Sequence, residues 1–168
     1  MNMYQIIGTD IDGVISSSPV HFGARSRFLC GVWAVLDAIG VSRFIMWRMR
    51  PRPWVVEWLQ AMSKAGNPIW VITQRGCKHR EFTQRQLTRW NVPYSYVFCF
   101  PGDVDPVEWK AKYARLCNIM LEDQQGLIDG MQAQLGNQAP VFYNTTRDAD
   151  LMQARLESEK GTDHVETV

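Results

Sequence analysis

Two aspartates, Asp10 and Asp12, stand one residue apart where the apolar run YQIIGT ends, and Gly13 follows them. A second pair of acids, Glu122 and Asp123, closes the run NIML. Carboxylates gathered in one place repel, and they stay ionised only beside positive charge. A hard divalent cation supplies that charge. Mg²⁺ in particular takes a couple of carboxylates together with waters and substrate phosphate oxygens. Asp10 and Asp123 are the natural side-chain ligands of such a set. Thr73, near the end of IWVITQ, offers a hydroxyl to a phosphate oxygen. Lys110 or Lys112 offsets the negative charge of nucleophile and phosphate together. The residue types therefore suit phosphoryl transfer, in which positioning and charge stabilisation carry most of the catalysis. A strand-end Asp-x-Asp-Gly alone also fits a plain turn. Thr73 and the Leu-Glu-Asp triplet are what favour chemistry.

These residues converge only if the elements between them alternate. Continuous apolar runs at 4–10, 69–74, 95–100 and 118–123, with a shorter one at 140–144, read as strands buried on both faces. Helical spacing of apolar residues covers 54–65, 78–90, 106–117, 124–135 and 147–158. Pro53 and Pro106 sit at helix starts, and Asp105 is a candidate N-cap. Gly66 and Asn67 supply a stop signal. Strands alternating with helices of this length imply a parallel sheet of about five strands with helices on both faces, a three-layer Rossmann-like α/β fold. Ligands in such sheets lie at the carboxyl ends of the strands. Asp10 with Asp12, Thr73 with Arg75, and Glu122 with Asp123 all fall at that edge.

The segments TDIDGV, WVITQR, EWKAKYA and IMLED resemble, in this order, the four motifs of the haloacid dehalogenase (HAD) superfamily, nearest its nucleotidase and acid-phosphatase-like branches. The resemblance spans about residues 4 to 144. It implies the HAD fold, and it implies a Mg²⁺-dependent phosphomonoester hydrolase working through an aspartyl-phosphate. Asp10 matches the nucleophile, and Asp12 matches the acid/base that also lends its backbone carbonyl to Mg²⁺. Thr73 matches the phosphate-binding hydroxyl. Lys110, with Lys112 as the alternative, matches the lysine of the third motif. Asp123 matches the metal-binding acid, assisted by Glu122. Gly13, Gln74, Arg75 and Arg52 are the expected substrate contacts, with Asn144 a further one. Asp129 is expected to be a helix-surface charge, and His21 and His79 to be structural or solvated.

About residues 14–52 form an insert between the first strand and the rest of a single domain over 1–168, and the resemblance makes it a small helical cap. From His21 to Arg52 there are six arginines against one acid, Asp37. Three readings stand. The insert is a lid packing Trp33, Leu36, Phe44 and Trp47 on the core with its arginines in solvent. Alternatively its arginines, Arg48, Arg50 and Arg52 first among them, grip an anionic substrate. Or a basic, Trp-bearing helix lies on a membrane surface. The expected substrate is a nucleoside monophosphate or another small phosphomonoester. The alternatives are a polynucleotide-end phosphatase, suggested by Lys78, His79, Arg80, Arg85 and Arg89, a lipid phosphatase, and a non-catalytic binder of phosphorylated ligands.

The bulk numbers agree with a single globular domain. The chain has 168 residues, is 46% hydrophobic and carries a net charge of +1, which names no partner. The tail from Glu157 to Glu166 leans acidic, with four acids against one lysine. Cys30, Cys77, Cys99 and Cys117 include no CxxC pair, so reduced thiols are expected rather than zinc or a disulfide. No signal-peptide pattern opens the sequence, and no apolar run reaches membrane-spanning length, so a cytoplasmic protein is the expectation. Oligomeric state is left open.

Overall fold

A computed structural model describes residues 4–17, 35–152 and 154. Strand β1 (Ile7–Thr9) runs into a tight, buried loop over 10–15, and β2 (Ser16–Ser17) follows it. Helix α1 (Val41–Arg48) lies in the insert, and β3 (Arg50–Pro51) then returns to pair antiparallel with β2. After helix α2 (Pro53–Lys64) come strand β4 (Ile69–Gly76), helix α3 (Arg80–Arg89) and strand β5 (Tyr96–Phe100). The chain finishes through helix α4 (Pro106–Ala114), strand β6 (Ile119–Glu122), helix α5 (Gln125–Leu135) and strand β7 (Val141–Asn144). The main sheet has the order β5-β4-β1-β6-β7, and every pairing in it is parallel.

Local chemistry explains the elements. Helix α2 begins at Pro53, whose missing N–H costs nothing at a helix start. Its Val55, Val56, Trp58, Leu59 and Met62 recur at helical spacing and are buried. Asp105 caps α4 by accepting the N–H groups of Val107 and Glu108 at 2.8 and 3.0 Å. The strands are apolar on both faces because both faces are covered. Ile7, Val71, Val97 and Ile119 pack with Trp58, Leu59 and Leu87 of α2 and α3. Ile72 and Met120, on the opposite face, pack with Trp109 of α4, and α4 packs with α5 through Ala111, Ala114, Leu127 and Met131. Full burial of such an aliphatic side chain contributes roughly 2–3 kcal/mol. The result is three layers, as the strand–helix alternation requires.

The structure trims some expectations. Strand β1 is shorter than 4–10, and α4 stops at Ala114 rather than 117. Helix is present at 149–152 and 154, and the remainder of the expected 147–158 helix and the acidic tail lie outside the described residues. So do Trp33, Cys30 and His21. Phe44 and Trp47 do not pack on the core as a lid would require: they are 63% and 42% exposed, and Met46 is the residue α1 buries. Cys77, Cys99 and Cys117 are free thiols. No described helix is long and apolar enough to cross a membrane.

Candidate active site

Strand β1 is central, with β4 and β6 as its neighbours, and the chain turns to opposite sides of it for β5 and β7. Its carboxyl end is therefore the switch point where ligands bind in open α/β sheets. Asp10 leaves β1 there, and its backbone N–H donates to the Leu121 carbonyl at 3.1 Å. Its Oδ1 accepts the Ile11 N–H at 2.6 Å, and its Oδ2 accepts from Lys110 Nζ at 2.5 Å. Lys110 is fully buried and donates also to Glu122 Oε2. The other oxygen of Glu122 accepts the N–H groups of Asp123 and Gln124 at 3.1 and 3.3 Å. Lys112 is exposed beside the Tyr113 ring, so Lys110 is the lysine at this edge.

Asp10, Glu122 and Asp123 each present one oxygen within 4.8 Å of the others. The loop after β1 presses its backbone against this cluster. Gly13 has φ +91°, and a Cβ built on it would stand 2.0 Å from Asp123 Oδ2. Only glycine takes this conformation without strain and leaves that space. The donors are all carboxylate oxygens, and among the described residues Lys110 is the cation that bridges Asp10 and Glu122. That set suits a hard, oxygen-seeking divalent ion.

Burial drives the titration of the cluster. Asp10 is pushed up to about 6, chiefly because its charge is out of water, although Lys110 pulls the other way. Burial also raises Glu122 and Asp123. Desolvation opposes the charge on Lys110, but Asp10 and Glu122 outweigh it and hold the ammonium above an ordinary lysine. The consequence for stability has a definite sign. An acid raised in the folded state stabilises the fold below its unfolded value and ceases to do so as pH climbs through the folded one. In EDTA, the wild type should therefore lose about 2 kcal/mol relative to Asp10→Asn between pH 4 and pH 7, given an ordinary aspartate near 4. Urea melts of both proteins across that range would read the difference directly. A flat difference would mean that the Asp10 carboxylate is not held out of water.

Asp12 is the partner of Arg75. Nε and Nη2 of Arg75 reach its two carboxylate oxygens at 2.8 and 2.7 Å, a forked pairing that fixes the carboxylate plane. Nη1 of Arg75 donates to Gln86 Oε1 at 2.6 Å, and Gln86 Nε2 donates to the Met46 carbonyl on α1. The insert is thus tied to Asp12 through two buried side chains. Arg75, expected at the substrate, spends these donors on Asp12 and Gln86. Thr73 is buried and its Oγ1 accepts the Arg75 N–H at 3.3 Å, so the hydroxyl keeps its own proton for donation. Beside it, Gln74 Nε2 is buried with no partner among the described residues. Arg52 ties the insert back by its backbone, its N–H donating to the Ile15 carbonyl at 2.7 Å.

Other expected residues lie elsewhere. Asn144 is committed to a turn: its Oδ1 accepts from Thr146 N, its Nδ2 donates to Gln125, and its N–H donates to Asp148. Asp129 is an exposed helix charge that accepts from Gln125. His79 is buried with Nε2 2.8 Å from Asp37 Oδ1, and Lys78 and Ser42 also meet Asp37. These contacts fasten the insert to the start of α3. Gln86 is a site residue that no sequence motif marks. Its signal was a polar residue on the buried stripe of α3, between Thr83 and Leu87.

The fold is shared with solved HAD-superfamily hydrolases. The solved structures it resembles include a haloacid dehalogenase-like hydrolase from Streptococcus pneumoniae (TM-score 0.50, 13% identity, 84% of this chain and 94% of that one). A HAD-superfamily hydrolase from Ehrlichia chaffeensis matches at TM-score 0.51 and 7% identity, over 93% of this chain and 98% of that one. A chain of a Pnkp1/Rnl/Hen1 complex matches at TM-score 0.59 and 15% identity, over 84% of this chain and 46% of that one. A second structure, of the Pnkp1/Rnl/Hen1 RNA repair complex, matches at 0.57 and 16%, and this chain spans just under half the length of either. No protein-family model and no curated protein matches the sequence.

Proposed function

We propose that the protein is a Mg²⁺-dependent phosphomonoesterase that works through an aspartyl-phosphate on Asp10. The observation that carries this reading is the gathering of Thr73, Asp10, Asp12, Glu122 and Asp123 at three adjacent strand ends, with Lys110 reaching Asp10 and Glu122 from helix α4. Asp10 attacks phosphorus, and the P–O bond to the leaving alcohol breaks. Asp12 gives that oxygen a proton, then takes one from the water that hydrolyses the acyl phosphate. Arg75 holds Asp12 in one orientation for both transfers. Lys110 keeps Asp10 ionised and offsets charge on the phosphoryl group. Thr73 and the buried Gln74 amide offer donors to its equatorial oxygens. Asp10, Asp123 and Glu122, with the Asp12 carbonyl, would hold Mg²⁺, which when bound neutralises the carboxylates and the phosphate together. Residues 14–52 act as the cap.

The substrate is a small phosphomonoester, with nucleoside monophosphates the first to try. A second reading, a phosphatase of polynucleotide ends, is favoured by the likeness to chains of an RNA repair complex. Phosphate release from p-nitrophenyl phosphate, a nucleotide panel, sugar phosphates and oligonucleotides phosphorylated at the 3′ or the 5′ end, with Mg²⁺ and with EDTA, tests both. Metal-dependent release is expected. No release from any member of the panel would leave a phospholigand-binding protein.

A further inference from the structure

Helices α1 and α3 present a basic face that the proposed chemistry does not use. Arg43 and Arg48 on α1 are exposed, as is Arg50 just beyond it. Arg80, Arg85 and Arg89 on α3 are exposed as well. Glu81 is the one acid in the two helices, and it stands 3.6 Å from Arg85 in an exposed pairing that water largely screens.

Aromatic rings are set among these cations. Phe44 is 63% exposed and Trp47 42% exposed. Arg89 Cζ lies 4.4 Å from the Trp47 ring centre, and Arg48 Cζ lies 5.6 Å from that of Phe44. Two open hollows flank α1. One, of about 520 Å³, is lined by Arg43, Cys77, Arg80 and Phe82 among others, and so opens just past the end of β4, the strand that carries Thr73. The other, of about 390 Å³, lies between Ser17 of β2 and Phe44, Arg48 and Arg50. Met46, whose carbonyl receives Gln86 and so meets the Arg75–Asp12 pair, sits on the same helix between Arg43 and Trp47. Helix α1, whose outer side carries this face, thus packs its inner side toward the Arg75–Asp12 pair.

We infer that this face binds single-stranded nucleic acid, the arginines taking backbone phosphates and Phe44 and Trp47 stacking unpaired bases. That the strand's terminal phosphate then enters the Asp10 site rests on the phosphatase reading above. Basic grooves with exposed rings suit single strands because every unpaired base has a face to stack, whatever its identity. A helix lying on a bilayer turns a continuous apolar face outward. Helix α1 instead turns Met46 inward and has an arginine beside each exposed ring.

The test is fluorescence anisotropy in EDTA with 12-nucleotide DNA and RNA strands, with and without a 3′-phosphate, over a salt series. The full chain is expected to bind at low salt, with affinity falling linearly on a log–log plot. Combining Arg43→Ala, Arg80→Ala and Arg85→Ala should flatten that slope by about 2, at roughly 0.7 per lost phosphate contact. Phe44→Ala and Trp47→Ala should each weaken binding about fivefold or more at unchanged slope. The DNA and RNA arms show which sugar is preferred. An unchanged slope in the triple variant overturns the inference, as does binding to phosphatidylserine vesicles without binding to either strand. Phosphate release from small esters without strand binding also overturns it and leaves the phosphatase reading standing. Strand binding with no phosphate release from any ester keeps the surface and removes the phosphatase reading.

Discussion

Asp10→Asn is expected to lower phosphate release by about 10⁴-fold or more while leaving the fold intact. The size follows from the role. An amide oxygen is a poor nucleophile toward phosphorus, so the covalent route closes rather than slows. Losses of this order accompany removal of a covalent nucleophile elsewhere. The substitution is nearly isosteric, and the Asn side-chain oxygen still accepts one hydrogen bond from Ile11 N–H or Lys110. Because burial holds the Asp10 carboxyl at about 6, the stability of the variant relative to the wild type should rise from pH 4 to pH 7 in EDTA. A cooperative melt and an unchanged circular dichroism spectrum alongside the lost activity would assign the loss to chemistry rather than to misfolding. Asp12→Asn should behave differently, slowing turnover and letting phosphate accumulate on Asp10, which intact-protein mass spectrometry would detect. Near-normal rates for Asp10→Asn would remove it as nucleophile.

The sheet was legible because parallel strands covered on both faces must be apolar throughout, and IWVIT, YVFCF and NIML are. Helix phase could also have separated the two lysines. Lys110 and Ala114 stand four apart on the buried side of α4 with Ala111, whereas Lys112, two residues on, points to the far side. What the sequence hid was pairing over distance. Arg75 and Asp12 are 63 residues apart, and Gln86 and Met46 are 40 apart on different helices. Nothing local distinguishes an arginine that steers an acid from one that grips a substrate. The insert was harder still. Its Phe44 and Trp47 look like core by type, yet α1 is short and buries only Ser42 and Met46. A brief helix leaves Phe44 largely in solvent and Trp47 only half-covered, by Phe82 and Arg89 of α3.

Lys110→Met should cost both catalysis and stability, and the two losses should separate with pH. Methionine keeps most of the volume of the buried stem but removes the only cation between Asp10 and Glu122. Two carboxylates then face each other out of water, and breaking a buried ionic pair by removing one partner typically costs about 3–5 kcal/mol. The deficit should be large at pH 7.5, where both acids must ionise. It should shrink toward pH 5, because burial already raises Asp10 and Glu122, and loss of the ammonium raises them further. A neutral carboxylic acid can donate to its neighbour, so acid replaces the missing cation structurally. It cannot replace it chemically, because a protonated Asp10 does not attack phosphorus. Turnover should thus stay at least about 10²-fold below wild type at every pH, the loss usual for one charge-stabilising donor. Paired thermal melts and rate profiles from pH 5 to 8 make the comparison. Equal melting temperatures at pH 7.5 in EDTA would mean that Lys110 does not bridge the two acids, and the charge balance argued for this site would fail with it.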